Sequence, residues 1–422
     1  MKSKALVMFT LLFILSHFTQ GQSGKILTIE ECYSLAKENY PLIKQMAIIE
    51  KTKEYSVENA SKGYLPQLFI NGQATYQSAV TEVPTAVPAF SMPPISKDQY
   101  KIYGEINQSL TDPFLISQQK NLAKATEEKE MQKYEVELYK LKERINQIYF
   151  GILLIDGQIA QTELLKKDIQ TGINKTDAAI ANGIALKSNA NQLKAELLKA
   201  EQRIIELVSM KKGYTGMLSL FIKQPVNEST SFQKPVSQTV SVSINRPELK
   251  LYDIQKKSFD IQNKLNNSRN IPKLGLFFQG GYGRPALNFL NDNFEWFYVG
   301  GIRLNWNIGG FYTRSNEKQQ VILNQNTLDI QKEIFIFNTN LALSQQGEEI
   351  AKYQNLTTTD TEIINLRQSI TTTAKSQLEN GTITTNDYIT FLNAEDQARQ
   401  NLVLHEIQLL MAQYNFQTTS GN

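Results

Sequence analysis

The sequence predicts a mixed α and β membrane protein made of two structural repeats, each giving two barrel strands and long coiled-coil helices. Three features predict it. The second half of the chain repeats the first; four short segments alternate apolar with polar residues; and two proline-free stretches of roughly sixty-odd residues carry apolar positions at helical spacing.

The repeat is visible by direct alignment. Leu65-Pro66-Gln67-Leu68 falls on Ile271-Pro272-Lys273-Leu274, carrying Gln73 onto Gln279 and Tyr76 onto Tyr282 at an offset of about 206 residues. Gly104-Glu105-Ile106 meets Gly300-Gly301-Ile302 at about 196, and Asn182-Gly183 meets Asn380-Gly381 at about 198. The offset changes mainly across residues 81–97, which reads as a loop insertion. Each copy reads helix, strand, loop, strand, long helix, long helix. The copies run over 22–235 and 236–422. Strands are expected at about 64–80, 98–110, 271–284 and 296–310.

The strand segments have one face suited to lipid and one to water. Leu68, Ile70, Gly72, Ala74 and Tyr76 alternate with Gln67, Phe69, Asn71, Gln73 and Thr75. Tyr100, Ile102 and Ile106 alternate with Lys101, Glu105 and Asn107, and Ile302, Leu304, Trp306 and Ile308 with Arg303, Asn305 and Asn307. Trp296 and Trp306 are ten residues apart. That is roughly 33 Å of strand, or about 25 Å of height at a tilt of about 40°, the thickness of an outer-membrane apolar band. A soluble sandwich shows the same alternation. Four strands cannot close a barrel, and an open edge in lipid leaves backbone groups unpaired, so a barrel here is shared between chains. Two chains give eight strands and three give twelve.

From about Phe114 to Ala181 the residues Met131, Tyr134, Leu138, Leu141, Ile145, Ile148, Ile152, Ile155 and Ile159 form a coiled-coil seam. A helix of that length extends roughly 100 Å. Its counterpart from about Ser315 to Asn380 is more polar and keeps a broad face in water. Both stretches end at Asn-Gly, where glycine adopts the left-handed conformation that stops a helix. Hairpin tips are therefore expected at about 182–186 and 380–384. Thr28-Ile29-Glu30-Glu31 fits a capping box and sets a helix start at Thr28.

The N-terminus carries Lys2 and Lys4, an apolar run from Ala5 to Leu15, and Thr19 and Gly21 at the two positions a signal peptidase reads, so residues 1–21 read as a cleaved export signal. No cysteine near that point could accept a lipid. The single Cys32 excludes a disulfide framework and a multi-cysteine metal site. A formal net charge of +3 points to no nucleic-acid partner. After the signal no apolar run is long enough to cross a bilayer as a helix, so a membrane location requires a closed barrel.

Nothing predicts catalysis. His17 lies in the export signal, and His405 reads as a solvated helix residue, which leaves no histidine cluster for a metal or a general base. Gly280-Gly281-Tyr282-Gly283 lies inside an alternating strand rather than before a helix, so it is no phosphate loop. No cofactor is expected.

Taken together, the export signal, the Leu27-Thr28-Ile29-Glu30-Glu31 helix opening, Tyr64-Leu65-Pro66 before the first strand, and Gly-x-Ile-x-x-x-Trp over Gly300 to Trp306 resemble the TolC-like outer-membrane efflux protein family. The resemblance covers essentially the whole mature chain. It implies a homotrimer with a twelve-stranded barrel in outer-membrane lipid, continued into the periplasm by an α-helical tunnel. It also implies partners: a periplasmic adaptor (membrane-fusion) protein and an inner-membrane pump of the RND or ABC type. By the same likeness Asn182, Gly183, Ile184, Asn380, Gly381 and Thr382 are the adaptor-contacting tips, and loops 81–97 and 285–295 face outside. Asp387, six residues after Gly381, matches the place of acidic residues at the family's periplasmic pore constriction. Three residues on, the chain has the neutral Thr390, and three extra residues precede Asn393-Ala394. Asp387 equally suits the first turn of a helix. Tyr76, Tyr100, Trp296, Tyr298 and Trp306 are the expected aromatic girdle. The competing reading is a periplasmic coiled-coil scaffold or adaptor.

Overall fold

The computed structural model describes residues 26–81, 95–237 and 241–422. The expected export signal and most of the 81–97 loop lie outside the described residues. The chain forms two compact units, each drawing on both sequence halves. One takes Lys44–Glu135 and Pro247–Ile334, and the other takes Val136–Arg246 and Phe335–Asn422 with the chain up to Ile43.

In chain order the elements are α1 (Ile29–Asn39), α2 (Ile43–Lys62), β1 (Gln67–Tyr76), β2 (Asp98–Ser109), α3 (Asp112–Tyr139), α4 (Leu141–Ala181), α5 (Lys187–Ile222), α6 (Pro247–Arg269), β3 (Lys273–Arg284), β4 (Glu295–Asn305), α7 (Phe311–Glu379) and α8 (Thr385–Ser420).

The first unit holds the strands. They make one antiparallel sheet in the order β1-β2-β3-β4. Opposed residues of an antiparallel pair share a face. The register Ile70↔Gly104, Gly104↔Gly280 and Gly280↔Tyr298 therefore keeps the apolar positions of all four strands on one side. β1 covers the alternating residues but is shorter than the expected 64–80, because residues 63–65 still turn out of α2, with Gly63, Tyr64 and Leu65 donating to the carbonyls of Ala60, Ser61 and Lys62. β4 ends at Asn305, not near 310. Its partner β3 begins at Lys273, opposite Asn305, so the ladder has nothing further to bond. Ile308–Gly310 is a 3₁₀ turn instead.

The second unit is helical. The long helix expected over 114–181 is divided at Lys140, whose ψ of −18° departs from the helical value although its amide still donates to Val136 O at 3.3 Å. Beyond the division the predicted seam is buried at Leu141, Ile145, Ile148, Ile152 and Ile155. Ile145, Tyr149 and Ile152 of α4 join Leu218 of α5, Leu410 and Tyr414 of α8, and Cys32 of α1 in one apolar cluster. A second cluster gathers Ile169, Ile173, Leu193, Ala374, Tyr388 and Leu392. The Thr28 capping box is present, with Glu31 N donating to Thr28 Oγ1 and Thr28 N to Glu31 Oε2, both at 3.2 Å.

Candidate functional site

The sheet presents two chemically opposite faces. On the apolar face Ile70 is 86% exposed and Trp296 80%, burial states that water penalises and hydrocarbon does not. Tyr100 and Tyr298 lie on this face within their strands, and Tyr76 sits opposite Asp98 at its end. Tyr282 packs on Trp296 at 5.1 Å between ring centroids. Trp306, expected within the last strand, stands one residue beyond it. Its indole Nε1 donates to the Asn270 carbonyl at 3.2 Å, which fixes the ring at the mouth of the β3–β4 pair.

The polar face is a network. Glu105 accepts from Asn107 at 2.7 Å, from Gln279 at 2.8 Å and from Arg303 at 2.9 Å. The Arg303 guanidinium also lies 4.3 Å from the Phe277 ring, and Lys101 lies 4.6 Å from that of Phe297. Tyr103 and Phe297 lean together, 6.3 Å between centroids, over Gly281. A Cβ there would run into the Ile102 carbonyl and come within 2.7 Å of Tyr103 Cα. Sequence alternation located this face, but not the ion pair across it.

The hairpin tips share one construction. At the first, Asn182 N donates to Ala178 O and Ile184 N to Ala179 O; at the second, Asn380 N donates to Ser376 O and Thr382 N to Gln377 O. Gly183 has φ +70° and Gly381 +68°, the left-handed region in which glycine is unstrained. Both turns expose their tip residues, Ile184 at 79%.

After the second tip, Thr384 caps α8 and Asp387 answers as the third residue of a capping box, accepting from Thr384 N at 3.0 Å and from Thr384 Oγ1 at 2.7 Å. These bonds hold the Asp387 carboxyl below its usual range. Thr390, one turn on, returns its hydroxyl to the Asn386 carbonyl at 2.9 Å.

Sequence reading missed the polar groups inside the helical unit. Between the two apolar clusters, buried Asp396 accepts from Gln161 at 3.3 Å and lies 3.8 Å from Arg203, while buried Gln400 donates to Thr162 at 3.3 Å. Burial pushes the Asp396 carboxyl above its ordinary range. His405 is not the solvated residue expected: its Nδ1 lies 2.6 Å from the buried Asp360 carboxylate, because α8 turns that position onto α7. Helical spacing alone cannot reveal such partners. Among the described residues no cluster of three or more metal-ligating side chains occurs, and no helix is long and apolar enough to cross a membrane.

Four antiparallel strands with one largely apolar face, together with two long helical hairpins, define the class of fold. No family model and no curated relative matches the chain. Solved structures do. CusC, described for its transmembrane channel formation, superposes with a TM-score of 0.67 at 11% identity over 93% of this chain and 91% of its own. The outer membrane protein VceC of Vibrio cholerae gives 0.59 at 12% over 93% and 96%. The open-state MtrE outer membrane channel of Neisseria gonorrhoeae gives 0.63 at 11% over 93% and 89%. The chain has the TolC-like fold of these channels.

Proposed function

We propose that the protein is an outer-membrane channel of a tripartite efflux or type I secretion system, a passive exit duct without chemistry of its own. The observation that carries this reading is the four-stranded sheet, one face of which carries Leu68, Ile70, Ile102, Phe278, Trp296 and Ile302 between polar ends at Asp98, Gln108 and Arg284, and whose β1 and β4 edges have no partner within the described chain. In lipid those edges need strands from other copies. Three copies give twelve strands, the number the TolC-like resemblance implies, and the even count per chain sets β4 antiparallel to the next copy's β1.

In this reading the apolar band meets outer-membrane lipid, ringed by Tyr76, Tyr100, Trp296, Tyr298 and Trp306, and loops 81–97 and 285–295 face outside. The helices form a periplasmic tunnel. The Asn182-Gly183-Ile184 and Asn380-Gly381-Thr382 turns meet a periplasmic adaptor, and an RND or ABC pump in the inner membrane supplies energy. Asp387 and Thr390 line the periplasmic constriction, where a ring of carboxylates favours cations. The capping role of Asp387 leaves its carboxylate exposed and is compatible with that position.

The test is to express the full chain in a Gram-negative host, fractionate the membranes and measure the detergent-solubilised mass by light scattering. Three copies in the outer-membrane fraction are expected. A soluble periplasmic monomer or dimer sinks the channel and supports the coiled-coil scaffold.

A further inference from the structure

The 285–294 loop closes the end of the β3–β4 hairpin remote from the helices, and its polarity is inverted. Its polar side chains are taken up by the loop itself and its neighbours. Asn288 Oδ1 accepts from Leu290 N and Asn291 Oδ1 from Asn293 N, both at 3.1 Å, while Asn291 Nδ2 donates to Glu295 Oε1 at 2.6 Å. The Asp292 carboxylate takes both donors of Ser96, the amide at 3.0 Å and the hydroxyl at 2.6 Å. What the loop leaves outside is apolar: Leu287 is 49% exposed, Phe289 65% and Leu290 44%. A loop standing in water places these residue types the other way round, so three large apolar side chains presented by a turn with satisfied polar groups mark a contact with something other than water.

Phe294 fixes the direction in which the loop leans. Its ring stacks on Tyr282 at 5.6 Å and on Tyr100 at 6.3 Å between centroids. Both tyrosines belong to the apolar face, since Ile102 and Trp296 stand opposite Tyr282, and Ala74 opposite Tyr100. The loop therefore leans on the apolar side of the sheet and away from the polar side that carries Glu105 and Arg303. At the same level the Arg284 guanidinium lies 5.2 Å from the Phe294 ring and 5.6 Å from that of Tyr100, and it donates to the Asp98 carboxylate. A charged pair on a lipid-facing surface is tolerated at the head groups and costly below them, so Arg284 and Asp98 mark the boundary between hydrocarbon and head group.

We infer that the 285–294 loop is an interfacial anchor, with Leu287, Phe289 and Leu290 in the acyl region of the outer-leaflet lipid beside the barrel instead of in the external water. Amphipathic segments at a membrane surface bury their apolar side chains roughly 5–10 Å into the boundary between head groups and chains and keep their polar groups above it. This turn is prepared for that position. Asn291 N donates to the Asn288 carbonyl at 3.1 Å, and the Asn288 and Asn291 side chains hold two further amides, so much of its backbone is satisfied before it meets lipid. Continuity with the apolar face through the Phe294 stack selects lipid as the occupant. The inference rests on the reading that the sheet is part of an outer-membrane barrel.

Phe289→Cys in the full chain, labelled with an environment-sensitive nitrobenzoxadiazole fluorophore and reconstituted in phosphatidylcholine vesicles, tests it; Cys32 is fully buried and takes no label in the folded protein. The expected result is a blue-shifted emission that is lost when the lipid carries a nitroxide near the head-group end of its acyl chains, and that iodide on both sides of the membrane leaves intact. The same label on Ile184→Cys, at the exposed first tip, gives the reverse. As a second measurement free of any label, Leu287→Ser with Phe289→Ser lowers the melting temperature of the vesicle-embedded protein, whereas a loop standing in water keeps or gains stability from the same change. Quenching by iodide overturns the anchor. So does a probe that neither quencher reaches, which sets the loop against protein, over the barrel mouth or on the next copy; both results leave the channel standing. Protein that stays out of the vesicles and scatters as a soluble monomer removes the barrel and the anchor together.

Discussion

Arg303 donates to Glu105 at 2.9 Å although their strands, β4 and β2, do not pair with one another; the guanidinium reaches across β3. The bond ties three strands on the polar face, and Gln279 of β3 completes it by donating to the same carboxylate. Arg303→Ala removes one of the three donors to Glu105, and the only charged one, and is expected to weaken the sheet by about 1–2 kcal/mol, reduced by the exposure of the arginine. The double variant Arg303→Ala/Glu105→Gln recovers part of the loss, because no unpaired carboxylate is left. Thermal dissociation of the detergent-solubilised protein reads both; equal losses in the two variants refute the account.

Gly281 lets Tyr103 and Phe297 close over the middle strand. Gly281→Val forces β2 and β3 apart and costs about 1–3 kcal/mol of overpacking. Gly72 of β1, on the other face and with nothing within 4 Å of a Cβ, tolerates the same change. Yield of outer-membrane protein on heat-modifiable gels should separate the two variants.

The tips depend on left-handed glycine. Gly183→Val or Gly381→Val strains its turn by about 1–2 kcal/mol. Neither position touches the apolar clusters, so the change should appear as faster amide exchange over 178–186 or 376–384, with global thermal stability almost unchanged.

Tyr149 anchors the start of the described chain. Its hydroxyl lies 2.8 Å from the carbonyls of both Leu27 and Gln233, the segment that bridges Leu27. Tyr149→Phe removes the single hydroxyl hydrogen that the two carbonyls share; Leu27 O keeps the Gln233 amide at 3.0 Å, and the loss at Gln233 O lowers thermal stability by about 1–2 kcal/mol. An unchanged melting temperature speaks against the clamp.

Burial favours the protonated form of Asp396, so its folded-state proton affinity exceeds that of the unfolded chain, which titrates near 3.8. The associated stability is fully present below about 3.8 and is lost as pH rises through the higher folded value. Asp396→Asn should abolish this slope and raise stability at neutral pH. A pH–stability curve identical to that of the parent rules the effect out. Asp387 acts in the opposite sense, since its depressed value makes acid weaken the cap of α8.

The sequence by itself determined the alternation that splits the sheet into an apolar and a polar face, the seam from Leu141 to Ile155, the cap at Thr28 and the glycine stops at 183 and 381. Each is a local pattern, set by residue type at a fixed spacing or by the backbone freedom of one residue. Only the tertiary structure decided where β4 ends, that α7 buries Asp360 against His405, that Asp396 and Gln400 divide the helical core, and that Arg303 finds Glu105. Those features join residues between about 30 and 240 positions apart, and no periodicity in a chain records which distant residue its neighbour will become.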